Sequence, residues 1–355
     1  MAKGMTPSLK DVAAAAGVSV TTVSRLVNGS LDLPFETKKR IEDAIAALNY
    51  RPNPHARRLS MGRSDTVGLV VPDIANPFFA TLVAAVEEMA DEKRLAVSLH
   101  ATLNRPGREI EYLQLIDRNH VDGLIFVTNH ADDGALAALI NRSGRVVVVD
   151  EDVPGADAPK LFCDNDQGGY LAGLHLAEHG HAHVIFIGGD TRMISALRRH
   201  AGLSRALHEA HGEAARVDRY SGEYTIAYGR EAAKRFIDER SGATAIFASS
   251  DEIAIGLIEV FRDAGVSVPG DVSVVGFDDV GPLHLFSPPL TAIHQPVRAI
   301  GRRSLELLLD THRKEGASAF EELLPVEIVV RNSVAPPARQ QSGTGQNHKA
   351  KTKRG

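Results

Sequence analysis

Residues 9–29 read LKDVAAAAGVSVTTVSRLVNG, and this stretch decides what the amino-terminal end of the chain is. Ser8 stands where a helix N-cap would, and Leu9, Val12, Ala13 and Ala16 follow at i, i+3, i+4 and i+7, one face of a 3.6-residue repeat. Gly17 ends that helix, since glycine takes a left-handed backbone at no steric cost. Ser19 caps a second helix running to Asn28, with Val23, Leu26 and Val27 inward and Thr21, Thr22, Ser24, Arg25 and Asn28 outward. A third pattern places Ile41, Ala44, Ile45 and Leu48 inward and Lys38, Lys39 and Arg40 in solvent. Two short helices joined at a glycine turn, the second with a polar outer face, describe a helix-turn-helix. Taken alone, these fifty residues also fit a small helical domain with an ordinary solvated face.

Four runs narrow the choice: DVAAAAGVS at 11–19 continues into TVSRLVN at 22–28, then LNYRPN at 48–53 and ARRL at 56–59. Together they resemble the amino-terminal signature of the lactose/galactose repressor (LacI/GalR) family of bacterial transcription regulators, and the resemblance runs on through Val330. It implies an all-α helix-turn-helix headpiece over 1–50, a hinge over 51–63 and an effector-binding and dimerisation domain over 64–337. By the same resemblance Val20, Thr21 and Arg25 read base edges: Arg25 can fork to guanine, Thr21 can hydrogen-bond and Val20 can touch a thymine methyl. Ser19, Thr22, Ser24, Asn28 and Tyr50 are implied as phosphate contacts. Tyr50-Arg51-Pro52-Asn53-Pro54 breaks the third helix, because the residue before a proline is pushed to extended geometry. His55 to Met61 then has room for two turns, too short to hold in water alone. The family's hinge helix orders on DNA in the minor groove; here its contacts are Ala56, Arg57 and Leu59, with Leu59 as the apolar wedge. A plain flexible linker is the alternative for this segment.

Charge is distributed accordingly. The chain has 355 residues and a net charge of −5. Residues 1–63 carry ten Lys/Arg against five Asp/Glu, residues 338–355 carry five Lys/Arg and no acid, and the middle is acidic. Positive charge sits where phosphate must be met, and the acidic body discourages contact elsewhere. A single cysteine, Cys163, excludes an internal disulfide and suits a reducing compartment. With neither a signal-type segment nor a run of about eighteen apolar residues, the chain is expected in the cytoplasm, associated with the nucleoid and away from membranes. The tail 338–355 is polar and basic, is expected to be disordered, and lacks the leucine heptads of a tetramerising coil.

After Ser64 the pattern becomes strand-helix alternation, beginning with TVGLVVPD at 66–73 and an amphipathic helix from Pro77 to Lys93. Alternation of this kind implies an α/β fold with parallel sheets covered on both faces, and the length implies two lobes. The resemblance supplies the topology: a type-I periplasmic-binding-protein-like domain of two doubly wound parallel sheets. Lobe one is expected over 64–163 and 293–323, and lobe two over 164–292 and 324–337. Ligands in such sheets bind beyond the carboxyl ends of the strands. The effector residues implied there are Phe78 and Tyr224 as walls, with Ser195, Arg199, Asp150, Asp164 and Ser250 as polar contacts. Asp278 is implied as the acceptor of paired hydroxyls. Ser250 stands where many relatives carry asparagine, and Met193 and Leu197 occupy flanks that are often polar, so no particular sugar is transferred. A subunit contact is expected from the helix around Thr81 to Ala90, through Leu82, Val83, Val86, Met89 and Ala90.

Two other chemistries find partial motifs in the chain. His175-Leu-Ala-Glu-His179 matches a zinc-hydrolase pattern, but no third protein ligand is in view. Asp278 and Asp279 are adjacent, and on an extended strand end they would point opposite ways rather than share a proton. No catalysis, metal or cofactor is expected. The reading is a homodimeric regulator, most simply a repressor, that binds a near-palindromic operator under control of a small sugar-like metabolite. A solute-binding protein of a transport system and, more remotely, a zinc hydrolase are the alternatives.

Overall fold

The computed structural model describes residues 7–27, 31–50, 64–116, 120–311 and 319–338. The expectations for Asn28, for the hinge 51–63 with Ala56, Arg57 and Leu59, and for the tail beyond Ala338 lie outside the described residues. The headpiece has three helices, α1 (Leu9–Ala16), α2 (Val20–Val27) and α3 (Phe35–Ala47). Gly17 takes the left-handed conformation that ends α1, with φ 65°. Asp11 reaches back over the first turn, accepting from the backbone N–H and the hydroxyl of Ser8, both at 2.8 Å. Val12, Ala13, Ala16, Val23, Ile41 and Ala44 close a small core, and Tyr50 packs into it.

The rest of the chain forms two six-stranded sheets. The first is built from β1 (Thr66–Val71), β2 (Ala96–Ala101), β3 (Gly123–Val127), β4 (Val146–Val149), β5 (Lys160–Cys163) and β11 (Glu321–Leu324). The second contains β6 (His183–Gly188), β7 (Arg216–Ser221), β8 (Ala245–Ala248), β9 (Ser273–Asp278), β10 (Thr291–His294) and β12 (Glu327–Val329). Their orders are β11-β5-β4-β3-β1-β2 and β12-β10-β9-β8-β6-β7. Pairing is parallel throughout except between β10 and β12. Central strands such as GLIFV, VVVV and AIFA are buried along their whole length, as strands covered by helices on both faces must be. Both sheets wind alike: each opening strand, β1 or β6, lies between the second and third strands of its sheet. The duplication is structural, and no repeat in the residues announces it.

The chain passes between the sheets after Cys163, His294 and Leu324. Ile293 and His294, expected in lobe one, pair with Phe277 and Asp278 in the second sheet. Leu324, expected in lobe two, pairs with Cys163 in the first. Helix α4 (Pro77–Glu92) lies on the first sheet beside α11 (Val297–Thr311). There Leu82, Val86, Met89 and Ala90 are buried within the chain and Val83 is half-buried. The four buried side chains therefore do not form the apolar subunit face expected of them, since the sheet and α11 already cover them; of the five, Val83 alone keeps appreciable exposed surface.

Candidate functional site: a helix-turn-helix face and an inter-lobe cleft

Helix α2 divides its side chains by environment. Val23 has no exposed surface and anchors the helix, while Ser19, Val20, Thr21 and Arg25 are exposed and Thr22 and Ser24 half-buried. Val20, an apolar side chain, is 41 % exposed at the first turn, as a contact to a thymine methyl would require. The Ser19 hydroxyl accepts from the Thr22 N–H at 3.1 Å and lies 2.8 Å from the Thr22 hydroxyl, so both residues also hold the helix start. Tyr50 is only 8 % exposed, and its ring belongs to the headpiece core before it belongs to any phosphate.

Between the lobes is a cavity of about 340 Å³, at the small end of ligand-binding cavities. It opens where the winding of each sheet reverses, beyond the carboxyl ends of β1 and β3 in one lobe and of β6 and β8 in the other. Of the expected effector residues, Phe78, Asp150, Ser195, Arg199, Tyr224, Ser250 and Asp278 line it. Asp164 does not. Its carboxylate accepts from the Gln167 N–H at 3.0 Å and caps helix α7 (Asn165–Glu178), a task set by its place directly after β5.

Arg199 comes from helix α8 (Ile194–His211), which crosses α7 with almost no separation. A Cβ on Gly202 would meet the Asp166 carbonyl oxygen at 2.0 Å, so only glycine allows the crossing that sets the angle of α8. The Arg199 guanidinium is 5 % exposed; Nε donates to Asn165 Oδ1 at 2.7 Å and one terminal nitrogen to the Ser249 carbonyl at 2.6 Å. Its carbon lies 3.7 Å from the centroid of the Phe277 ring. Three fixed partners hold it in one orientation.

Asp278 closes β9 with φ 93°, and Asp279 follows at φ 54°, so the pair is kinked rather than extended. Their carboxylates still separate: Asp278 accepts from Gln295 Nε2 at 2.7 Å, while Asp279 is forked by Arg331 at 2.8 and 2.9 Å. The strained turn is held from beneath by Asp251, which accepts from the backbone N–H groups of Asp279, Val280 and Gly281 at 3.1, 2.9 and 2.7 Å. Burial, with the Asp278 charge beside it, pushes the Asp251 carboxyl upward. Ser250 accepts from the Ile253 N–H at 3.3 Å, capping helix α10 (Asp251–Ala264) as well as lining the cavity.

Seven cavity residues carry no individual signal in the sequence: Asn104, Asn129, Glu151, Thr225, Ile226, Glu252 and Gln295. Glu151 follows β4 in lobe one and reaches the start of α8 in lobe two, where it accepts from the Ile194 N–H at 2.8 Å and from the Ser195 hydroxyl. A carboxylate is well placed at a helix N-terminus, where unpaired N–H groups and the helix dipole meet it. Burial pushes the Glu151 carboxyl upward all the same. The Asp150 carboxyl is raised to about 7, first by burial and then by the Asp278 and Glu151 charges, with Arg199 opposing. The signal for Gln295 was its position one residue beyond the fifth strand of the second sheet, which only the topology supplies.

Of the zinc pattern, His179 is held by its own helix, and the nearby His181 by lobe two. His179 Nδ1 lies 2.8 Å from the His175 carbonyl, and buried His181 joins Thr244 at 2.8 Å to the Ala335 carbonyl at 2.9 Å. Among the described residues no three metal-ligating side chains come together. No helix among them is long and apolar enough to cross a membrane.

With this geometry in place, residues 8–53 match the bacterial regulatory proteins of the lacI family, and residues 174–334 match a periplasmic binding protein-like domain. The HTH-type transcriptional repressor PurR of Mannheimia succiniciproducens is 34 % identical over 92 % of this chain and 98 % of its own. The lac repressor dimer bound to operator and the anti-inducer ONPF superposes with TM-score 0.78 at 28 % identity, covering 93 % of this chain and all of that one. The complex of the transcriptional regulator CelR with cellobiose gives TM-score 0.69 at 31 % identity, over 92 % of this chain and all of that one. A likeness of this depth, running through headpiece and both lobes, shows that the chain belongs to the lacI family of bacterial regulatory proteins and is an HTH-type transcriptional regulator.

Proposed function

We propose that this chain is a cytoplasmic repressor that grips a near-palindromic operator as a homodimer and adjusts that grip to a small polyhydroxylated metabolite held between its lobes. The observation that carries the reading is one chain holding both a helix with Val20, Thr21 and Arg25 outward on a buried Val23 and a cavity built from both sheets. Phe78, Phe79 and Tyr224 offer apolar walls to the C–H faces of a sugar ring, and Asp278, Arg199 and Asn76 offer hydrogen-bonding groups to its hydroxyls. The lac repressor was captured as a dimer on operator and CelR with cellobiose, which agrees with that division of labour. Ligand in the cleft changes how the lobes meet, and residues 51–63 join that change to the headpiece; a coupling of about 1–3 kcal/mol is enough for control.

Fluorescence anisotropy with an operator duplex and a scrambled duplex of equal length tests the grip. Wild type is expected to prefer operator by at least tenfold. Arg25→Ala is expected to bind both alike, since one lost guanine fork costs about 1–3 kcal/mol, while keeping the ligand response of the core. Unchanged discrimination by the variant rejects the role given to Arg25 and to the face it stands on.

A further inference from the structure

The cavity is unbalanced in charge. Five carboxylates line it, from Asp73, Asp150, Glu151, Glu252 and Asp278, against the single guanidinium of Arg199. Two nitrogens of that guanidinium already donate to Asn165 and the Ser249 carbonyl and its face lies on the Phe277 ring, which leaves one terminal nitrogen for a ligand hydroxyl. Glu151 is matched by the start of α8, and Asp278 Oδ1 by Gln295. Among the described residues nothing donates a hydrogen bond to the side chain of Asp150 or Glu252.

A second feature is independent of charge. Gln295 is 1 % exposed and lines the cavity; its amide nitrogen is fixed on Asp278, which leaves its amide oxygen as the other end. That oxygen is buried without a hydrogen-bond partner, as is Asn129 Oδ1 on the opposite lobe. A buried acceptor left unmade costs free energy that a ligand donor recovers. The donor must come from whatever fills the cavity.

We propose that the effector is an amino sugar, a single polyhydroxylated ring carrying a protonated amine that is received by Asp150, Asp278 and the amide oxygen of Gln295. The inference rests on the cleft being the effector site and adds the sign of the ligand's charge. An ammonium brings three donors and a positive charge, which meets both the surplus of acceptors and the surplus of carboxylates. A neutral sugar supplies donors but no positive charge. A sugar acid adds negative charge to a cavity already lined by five carboxylates, and the helix starts that face it are already met by Glu151, Asn76, Thr225 and Ser250. The cavity volume suits one ring, and Phe78 and Tyr224 stand as its walls.

The test uses the full chain at pH 7 and low salt with matched triples: glucosamine, glucose and glucuronate, then the galactose and mannose series. Thermal shift at equal concentration, followed by calorimetric titration, is expected to show stabilisation by at least one amine. Its Kd should be at least tenfold lower than that of its neutral partner and should weaken as salt is raised. Asp150→Asn is expected to bring the amine and neutral members within about threefold of each other. Since that variant touches the fold, Glu252→Gln serves as a second reporter and is expected to narrow the same ratio. A neutral or acidic member that matches its amine in wild type, or stabilisation by no amine at all, overturns the proposal. Tyr224→Ala separates the two levels. A neutral sugar that loses its effect on this variant leaves the cleft as effector site and removes only the amine. Compounds that stabilise wild type and Tyr224→Ala alike bind elsewhere and remove the cleft reading itself.

Discussion

Glu109 shows what a single buried acid does to this fold. It has no exposed surface, accepts from the Thr128 hydroxyl at 2.7 Å through one oxygen, and buries the other without a partner among the described residues. Burial raises its carboxyl to about 7 against the Thr128 hydrogen bond. Below about pH 4.5 the group is protonated in folded and unfolded chains alike. As pH rises the unfolded chain releases the proton first, so stability falls until the folded group ionises near 7 and then levels off. Glu109→Gln is therefore expected to flatten the decline in Tm between pH 5 and 8 and to stabilise by about 1–3 kcal/mol at pH 8. An equally steep decline in the variant would falsify the assignment. Asp150 slopes the same way by the same logic, which ties the pH profile to the cleft as well as to the core.

At the scale of elements, the α7–α8 crossing places the site. Gly169 faces the Arg199 carbonyl with room for no side chain, a Cβ there lying 1.9 Å from the oxygen, and Gly202 answers it from the other helix. Gly202→Ala must part the helices and swing Ser195 and Arg199, which ride on α8, away from the cavity. Overpacking of this kind costs about 1–3 kcal/mol. The expected outcome is a lower Tm together with loss of any ligand-induced shift. Gly107→Ala is the control: nothing lies within 4 Å of the added carbon, so stability should hold or rise. A Gly202→Ala protein that keeps its Tm and its ligand response argues that the crossing is not what positions Arg199.

Across the whole molecule, hydrogen bonds among the described residues tie helix α8 to lobe one at two points. Glu151 holds its first turn, and Arg198 pairs with Glu321 of β11 at 2.8 Å. The second pair is about one-third exposed and is worth under about 1 kcal/mol. Glu151 is only 2 % exposed and leaves three donors unmade if removed. Glu151→Ala is thus expected to open the lobes in the ligand-free protein, seen as a larger radius of gyration by small-angle scattering. Arg198→Ala should change it little. Equal radii for wild type and Glu151→Ala would show that the lobes are held by other means.

Residue pattern alone determined the local elements: the glycine-ended α1, the outward face of α2, the central buried strands β1, β3, β4, β6, β8 and β9, and the motifs that place the chain in its family. Those features depend on neighbours within a few positions, where periodicity and turn chemistry act directly. Pattern also brought Phe78, Arg199, Tyr224 and Asp278 to one cavity, through family likeness. The edge strand β7 escaped notice because RVDRYS is polar and half-buried, and β5 because four residues carry no period. Tertiary structure decided what spacing cannot express. It set Asp164 to capping, Tyr50 to the headpiece core and the apolar side of α4 to its own sheet. It also carried Glu151 and Gln295 into the cleft from segments more than forty residues from Ser195. Burial and partnership at such separations arise from how two similarly wound sheets meet, and only the folded chain fixes that meeting.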